Sequence, residues 1–177
     1  MCANRLTVSL EASKHTQRGA TESSMDMPSF TSAQRRRILC IGDSYRRLLG
    51  EPLVAPAPDP VEALWAAPLA IVAHGTEPDP VFFFGNRTAL SLFEMDFAAF
   101  TQLPSRLSAE PLLREERARL LERVAREGFM TDYAGVRISS SGHRFRISSA
   151  TVWNLADDAG HPAGQAAAFA SWTPITA

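Results

Sequence analysis

The apolar positions change period along the chain, and each change marks an element. From Ser32, the residues Ile38, Ile41, Tyr45, Leu48 and Leu49 recur at helical spacing, with Ser32 as the cap and Gly50 and Pro52 as the stop. Arg35, Arg36, Arg46 and Arg47 fall on the opposite face, the pattern of a peripheral helix with solvated arginines. Pro52, Pro56, Pro58 and Pro60 predict an extended connector, and a short helix over 61–65 follows. Two apolar runs, over 69–74 and 81–84, each end at a glycine and are separated by turn residues over 76–80, which predicts a hairpin. Asn86 is placed to cap a helix over 87–93, and a second short turn falls over 97–101.

The strongest helical pattern covers 108–127. Ser108 is its expected cap, Pro111 fits the first turn, Leu113, Leu120, Leu121 and Val124 form the stripe, and Gly128 stops it. Glu115–Arg119 and Glu122–Arg126 stand in the favourable i,i+4 order, worth about 0.3–0.5 kcal/mol each. Three strands are then expected over 130–139, 143–155 and 164–172, joined by turns at Ser140-Ser141-Gly142 and Asp157-Asp158-Ala159-Gly160. Unbroken alternation in the second places Phe145, Ile147, Ser149, Thr151, Trp153 and Leu155 on one face and Arg144, Arg146, Ser148 and Asn154 on the other. Two strands, a helical stretch and three antiparallel strands make an α+β architecture: a five-stranded antiparallel sheet with helices on one face, plus an N-terminal flanking helix.

Residues 1–31 carry no sustained period and no apolar core of a secretory signal, and are expected as a disordered tail. Met25 and Met27 are alternative starts, which leaves open whether 1–26 are translated. The expected division is therefore tail 1–31, helix and connector 32–60, and domain 61–177. The 177 residues are 45% hydrophobic and 21% charged, which excludes wholesale disorder. A net charge of -1 lacks the basic excess of a general nucleic-acid or acidic-membrane binder. Cys2 and Cys40 cannot form a disulfide framework and fit a reducing compartment. The apolar run from Trp65 to Ala73 is broken by Pro68 and falls short of the ~20 residues of a membrane span. These features predict a cytoplasmic protein with no direct contact to nucleic acid or membrane. Of the 18 basic residues only Lys14 is a lysine, as codon usage in a GC-rich bacterial genome produces.

The order over 69–172 resembles a PAS-type sensor domain. The run Phe82-Phe83-Phe84-Gly85-Asn86-Arg87-Thr88-Ala89-Leu90 stands where such domains carry an aromatic strand, a capping Asn and a small residue. A closer likeness is carried by Leu103-Pro104-Ser105-Arg106-Leu107-Ser108-Ala109-Glu110-Pro111, by Asp132-Tyr133-Ala134-Gly135-Val136-Arg137-Ile138-Ser139, by Val152-Trp153-Asn154-Leu155 and by Gly164-Gln165-Ala166-Ala167. With Asp43-Ser44-Tyr45-Arg46-Arg47-Leu48-Leu49-Gly50 ahead of them, these strings resemble the MEKHLA domain over roughly 36–172. That PAS-related family occurs as small stand-alone bacterial proteins and at the C-terminus of plant class III homeodomain–leucine zipper proteins. The hexapeptide that names it is absent here, which distances this chain from the plant proteins. The resemblance implies sensing or protein interaction, with any ligand between the concave sheet face and the connecting helices, and pairing through the N-terminal helix over 35–50.

Candidate chemistry is read against that expectation. A covalent flavin photocycle needs a reactive Cys in the helix after the second strand, and 86–92 contains none. Haem needs an axial ligand such as His; 108–127 contains none, which leaves His74 and His143 as the candidates, with His15 and His161 in the tail and a loop. No His or Cys pair has metal-ligand spacing. Ser139-Ser140-Ser141-Gly142 reads as a polar turn rather than a nucleophile loop, and Asp157 and Asp158 diverge as neighbours in a turn. The aromatic set Phe82, Phe84, Phe145, Trp153 and Phe169, with Phe93 and Phe129 at the sides, reads either as a packed core or as the wall of a pocket for an apolar or planar molecule. Ser149 and Thr151 on that face would need polar partners, which a ligand or water supplies. Two alternatives to a sensor stand: a small isomerase or hydratase using Glu94, Asp96 or His74, and an interaction module without ligand.

Overall fold

The computed structural model describes residues 26–109 and 114–176. The first helix, α1 (Ser32–Leu49), is capped by Thr31 rather than Ser32. The Thr31 hydroxyl accepts from the Gln34 amide at 3.3 Å, and Gln34 Oε1 accepts from the Thr31 amide at 2.9 Å. This reciprocal box requires Gln three residues after the cap, and the residue three after Ser32 is an arginine. Gly50, at φ 82, closes the helix in the left-handed region. Asp59 caps α2 (Pro60–Ala66) and also receives the Arg35 guanidinium at 2.7 and 2.8 Å, tying α1 to α2.

The remaining elements are β1 (Ala70–His74), β2 (Phe82–Gly85), α3 (Arg87–Phe93), α4 (Phe97–Phe100), a 3-10 turn (Ser105–Ser108), α5 (Arg114–Glu127), β3 (Phe129–Ile138), β4 (Arg144–Ala156), β5 (Pro162–Phe169) and β6 (Ser171–Ile175). The sheet order is β2-β1-β5-β4-β3, with every neighbour antiparallel. The last expected strand is divided at Ala170: β5 pairs with the C-terminal half of β4 and β6 with its N-terminal half. The Ser108 hydroxyl donates to the Ser105 carbonyl at 2.7 Å within the 3-10 turn, and the amides it is expected to cap fall on residues outside the described ones. Pro111 and Leu113 lie outside the described residues. On α5, Glu115 and Arg119 approach to 4.0 Å, and the closer pair is Arg123–Glu127 at 3.0 Å instead of Glu122–Arg126.

The alternation expected through β4 is interrupted. Ser149 has φ 51, and the two residues between Ile147 and Ala150 stand opposite the single residue between Gly135 and Tyr133 on β3. This is a β-bulge, and one extra residue exchanges the two faces of everything beyond it. Phe145 and Ile147 point inward toward α3 and α5, where Ala150 and Val152 join them. Trp153 is left on the outer face. There its indole N–H donates to the Ile41 carbonyl at 3.2 Å, and its ring meets Tyr45 edge-on at 5.0 Å.

Consequently α1 crosses the outer face of the sheet. Ile38 and Ile41 are buried in the core, and the Ser44 hydroxyl accepts from the Ala156 amide at 3.0 Å. Met27 and Phe30, inside the segment read as tail, also pack against the core. The Phe30 ring lies 6.3 Å from Trp65 and 5.4 Å from Phe97.

The inner layer is fastened by Asn86. Fully buried, it accepts from the Ile71 amide at 2.9 Å and from the Ala89 amide at 3.0 Å through Oδ1. Its Nδ2 donates to the carbonyls of Leu64, Ala67 and Leu69 at 3.2, 3.3 and 2.8 Å. One side chain thus caps α3, ends α2 and anchors β1. Removing it strands buried amides and carbonyls, so Asn86→Ala is expected to cost about 3–5 kcal/mol in urea unfolding. A loss below about 1 kcal/mol would show that water replaces the side chain at these groups.

Candidate functional site

A cavity of about 40 Å³ lies between the inner face of the sheet and α5. Val72, Ile147, Val152 and Phe169 form its sheet side, Phe82 and Phe93 one flank, and Leu120 and Leu121 of α5 the roof. Five polar side chains also reach it: His74, Ser108, Tyr133, Arg137 and Gln165. Outside α5, a cleft of about 730 Å³ runs between the β1–β2 loop and the helix. The two spaces share His74, Leu121 and Gln165, which form the partition between them.

That partition is held by side-chain amides. Gln165 Nε2 donates to the Leu121 carbonyl at 2.9 Å and to Asn154 Oδ1 at 3.0 Å. Asn154 Nδ2 in turn donates to the carbonyls of Val124 and Ala125 at 3.0 and 3.2 Å. The His74 imidazole donates from Nδ1 to the Gly75 carbonyl at 2.9 Å, which fixes the proton on that nitrogen when the ring is neutral. Gly164, at φ 128, sits against the His74 carbonyl so closely that any side chain there would collide with it.

The aromatic residues singled out by alternation are only partly brought together. Phe82, Phe93 and Phe169 line the cavity. Phe145 stands behind Phe93 at 5.3 Å, and Phe84 is fully buried in the core away from the wall. Trp153, and Thr151 two residues before it, are on the α1 side because of the bulge. Ser149 is the bulge residue itself and is exposed. Phe129 begins β3 at 38% exposure. Phe100 was missed: it stacks on Phe82 at 4.5 Å and touches Phe93 at 5.6 Å. Gly85 admits it, since a Cβ there would lie 2.6 Å from the Phe100 ring. The i,i+3 spacing of Phe97 and Phe100 beside a strand-ending glycine was the available signal.

The acid–base candidates are not gathered in one cavity. Asp96 caps α4, accepting from the Ala99 amide at 2.7 Å. Glu94 ends α3 in the left-handed region at φ 56 and turns toward the β3–β4 hairpin. The Ser139 hydroxyl donates to its carboxylate at 2.5 Å, the Ser141 hydroxyl donates to the same oxygen, and His143 Nδ1 lies 2.9 Å from the other oxygen. Ser141 Oγ is also 3.0 Å from His143 Nδ1. Serine and carboxylate therefore share one imidazole nitrogen, whereas a hydrolytic triad needs them on opposite nitrogens. This cluster joins the end of α3 to the hairpin, with the Ser140 amide donating to the Phe93 carbonyl at 3.0 Å. His143, the second haem candidate, is committed to this surface site, and its side chain is 77% exposed.

Hydrogen bonds from Ser139, then Ser141, then His143 lower the Glu94 carboxyl from 4.5 to about 2. The folded state thus binds this proton less readily than the unfolded chain. The stabilisation is complete above about 4.5 and is lost as pH falls toward 2. Glu94→Gln is expected to lower the Tm at pH 7, and the gap from the parent should narrow progressively as pH falls from 4.5 toward 2 in parallel thermal melts.

The MEKHLA domain model matches residues 35–174. Among curated proteins, the homeobox-leucine zipper protein HOX29 of Oryza sativa, in both subspecies indica and japonica, is 25% identical over 178 residues. The match covers 96% of this chain and 20% of the rice protein, so the chain spans about a fifth of these relatives. The PAS domain of a Colwellia psychrerythraea protein aligns with TM-score 0.54 and 16% identity over 65% of this chain and 92% of that domain. An RNA-binding light-oxygen-voltage receptor aligns with TM-score 0.52 and 18% identity over 65% of this chain and 32% of the receptor. At these identities the structural likeness establishes a PAS-like fold. With a family match running from α1 to β6 and this sheet beneath it, the chain belongs to the MEKHLA domain family.

Proposed function

We propose that this chain is a non-enzymatic PAS-like sensory module. Its inner cavity accepts a small apolar or planar ligand, and its readout passes through α1 or the sheet face to a signalling partner or a second copy. The observation that carries this reading is the partition of His74, Leu121 and Gln165, which separates a mainly apolar inner cavity, reached by a few polar side chains, from a large outer cleft. A packed core has no need of polar groups on an inner void. The 40 Å³ space as it stands takes a few waters, whereas drug-sized ligands occupy ~300 Å³ or more. A ligand must therefore move the partition, and that movement is the signal.

Isomerase or hydratase chemistry gains little support. A carboxylate acting as general acid or base near neutrality needs a raised pKa, and Glu94 is lowered. Among the described residues no Asp or Glu lines the inner cavity. The small volume favours one second reading, an interaction module whose core stays filled. Among the described residues no helix is long and apolar enough to cross a membrane. A cytoplasmic, bacterial protein without direct nucleic-acid contact remains our reading of its composition.

Native mass spectra of protein isolated from its own cells should carry an added small-molecule mass that is released on unfolding. Val152→Trp, which fills the cavity from the sheet side, should abolish it. A bare polypeptide from those cells would favour the interaction module. Homodimerisation through α1 is tested by charge reversal and not by truncation, because Ile38 and Ile41 belong to the core. If α1 pairs two copies, Arg46→Glu with Arg47→Glu should halve the mass seen by light scattering; an unchanged mass would remove α1 from the interface.

A further inference from the structure

We propose that the ligand of the inner cavity is an apolar monocarboxylate, held by its carboxylate on Arg137 and Tyr133. This rests on the sensory reading above and specifies its ligand. Three observations carry it.

The first is charge. Among the described residues, Arg137 is the one charged side chain on the cavity wall. The cavity is therefore apolar with a positive end, which complements an anion on an apolar body.

The second is the state of that guanidinium. Arg35, Arg106 and Arg123 each place N–H groups on a carboxylate at 2.7–3.0 Å. Arg137 is half-buried, yet among the described residues it meets only neutral oxygens. Its Nη1 donates to the Val136 carbonyl at 2.9 Å and its Nη2 to the Tyr133 hydroxyl at 3.0 Å. A guanidinium carries five N–H donors, so others remain for a carboxylate in the planar fork that this pair favours. The Tyr133 oxygen is used as an acceptor by Arg137, which leaves its own O–H to be donated.

The third is space made on the backbone. Tyr133, Gly135 and Arg137 alternate on the inner face of β3 and pair toward Ala150, Ile147 and Phe145 of β4. A Cβ on Gly135 would lie 2.9 Å from Tyr133 Cζ and 3.2 Å from Arg137 Nη1. The missing side chain lets the hydroxyl and the guanidinium meet over the strand. The apolar body then runs from this end past Phe93 and Val152 toward the partition at Gln165, whose displacement opens the outer cleft.

Calorimetric titration of the full chain with straight-chain acids from hexanoate to decanoate, and with 1-octanol as the neutral counterpart, tests this. Octanoate should bind about tenfold or more tighter than octanol, the margin of a charge-assisted pair. Arg137→Gln should erase that preference and leave octanol binding unchanged. Tyr133→Phe should weaken octanoate a few-fold in the same selective way, and it provides the test should Arg137→Gln fail to fold. Val152→Trp, shown by circular dichroism to be folded at the assay temperature, should block both ligands. Equal affinities for octanoate and octanol, both lost in Val152→Trp, would overturn the carboxylate assignment while the cavity reading stands. Octanoate binding untouched by Val152→Trp would place the acid elsewhere and overturn the proposal. Absence of binding by every acid and by octanol would overturn this proposal together with the ligand reading beneath it.

Discussion

A single buried carboxamide holds the inner layer in register. Asn86 has one acceptor oxygen and two N–H donors, and it spends all of them on backbone groups of α2, β1 and α3 and of the turns that join them. No other side chain could serve all these groups. An aspartate lacks the donors, a serine lacks the reach, and an apolar residue would leave amides and carbonyls dry. Because α3 starts at this point, the positions of Phe93 and Glu94 follow from it, and through them both a wall of the cavity and the contact with the β3–β4 hairpin.

The second constraint is the bulge at Ser149. It lets one long strand serve two layers, with Phe145, Ile147 and Val152 facing the helices and Trp153 facing α1. In this MEKHLA-family chain α1 is consequently a structural layer and not an appendage. The sheet is closed on one side by a single long helix and on the other by several short ones. Those short helices are fastened by polar side chains to backbone carbonyls, as Gln165 and Asn154 do for α5.

Much of this was legible in the residues. Element order, the hairpins, the Asn86 cap and the stop at Gly128 follow from local chemistry that any chain obeys. The antiparallel sheet followed from strand count and turn lengths. The faces of β4 were less accessible, because strict alternation from Phe145 to Leu155 is also satisfied by a straight strand. The clue was that Val152 is apolar at an even position beside Trp153 at an odd one, which an uninterrupted one-sided strand does not need. The Thr31 cap was misread because two neighbouring hydroxyls compete at that helix start, and which one wins depends on the residue three places on. The cavity wall was half legible. Its aromatic members lie on recognisable strands, whereas Tyr133, Arg137 and Gln165 become neighbours only through register.

The bulge has a mechanical corollary. Val152 and Trp153 are joined by one peptide bond, yet the first borders the interior space and the second bears on Tyr45 and on the Ile41 carbonyl of the outer helix. The two side chains share one stretch of backbone, so the inner packing at Val152 and the outer packing at Trp153 constrain the same peptide, and neither face of the strand can be repacked independently of the other.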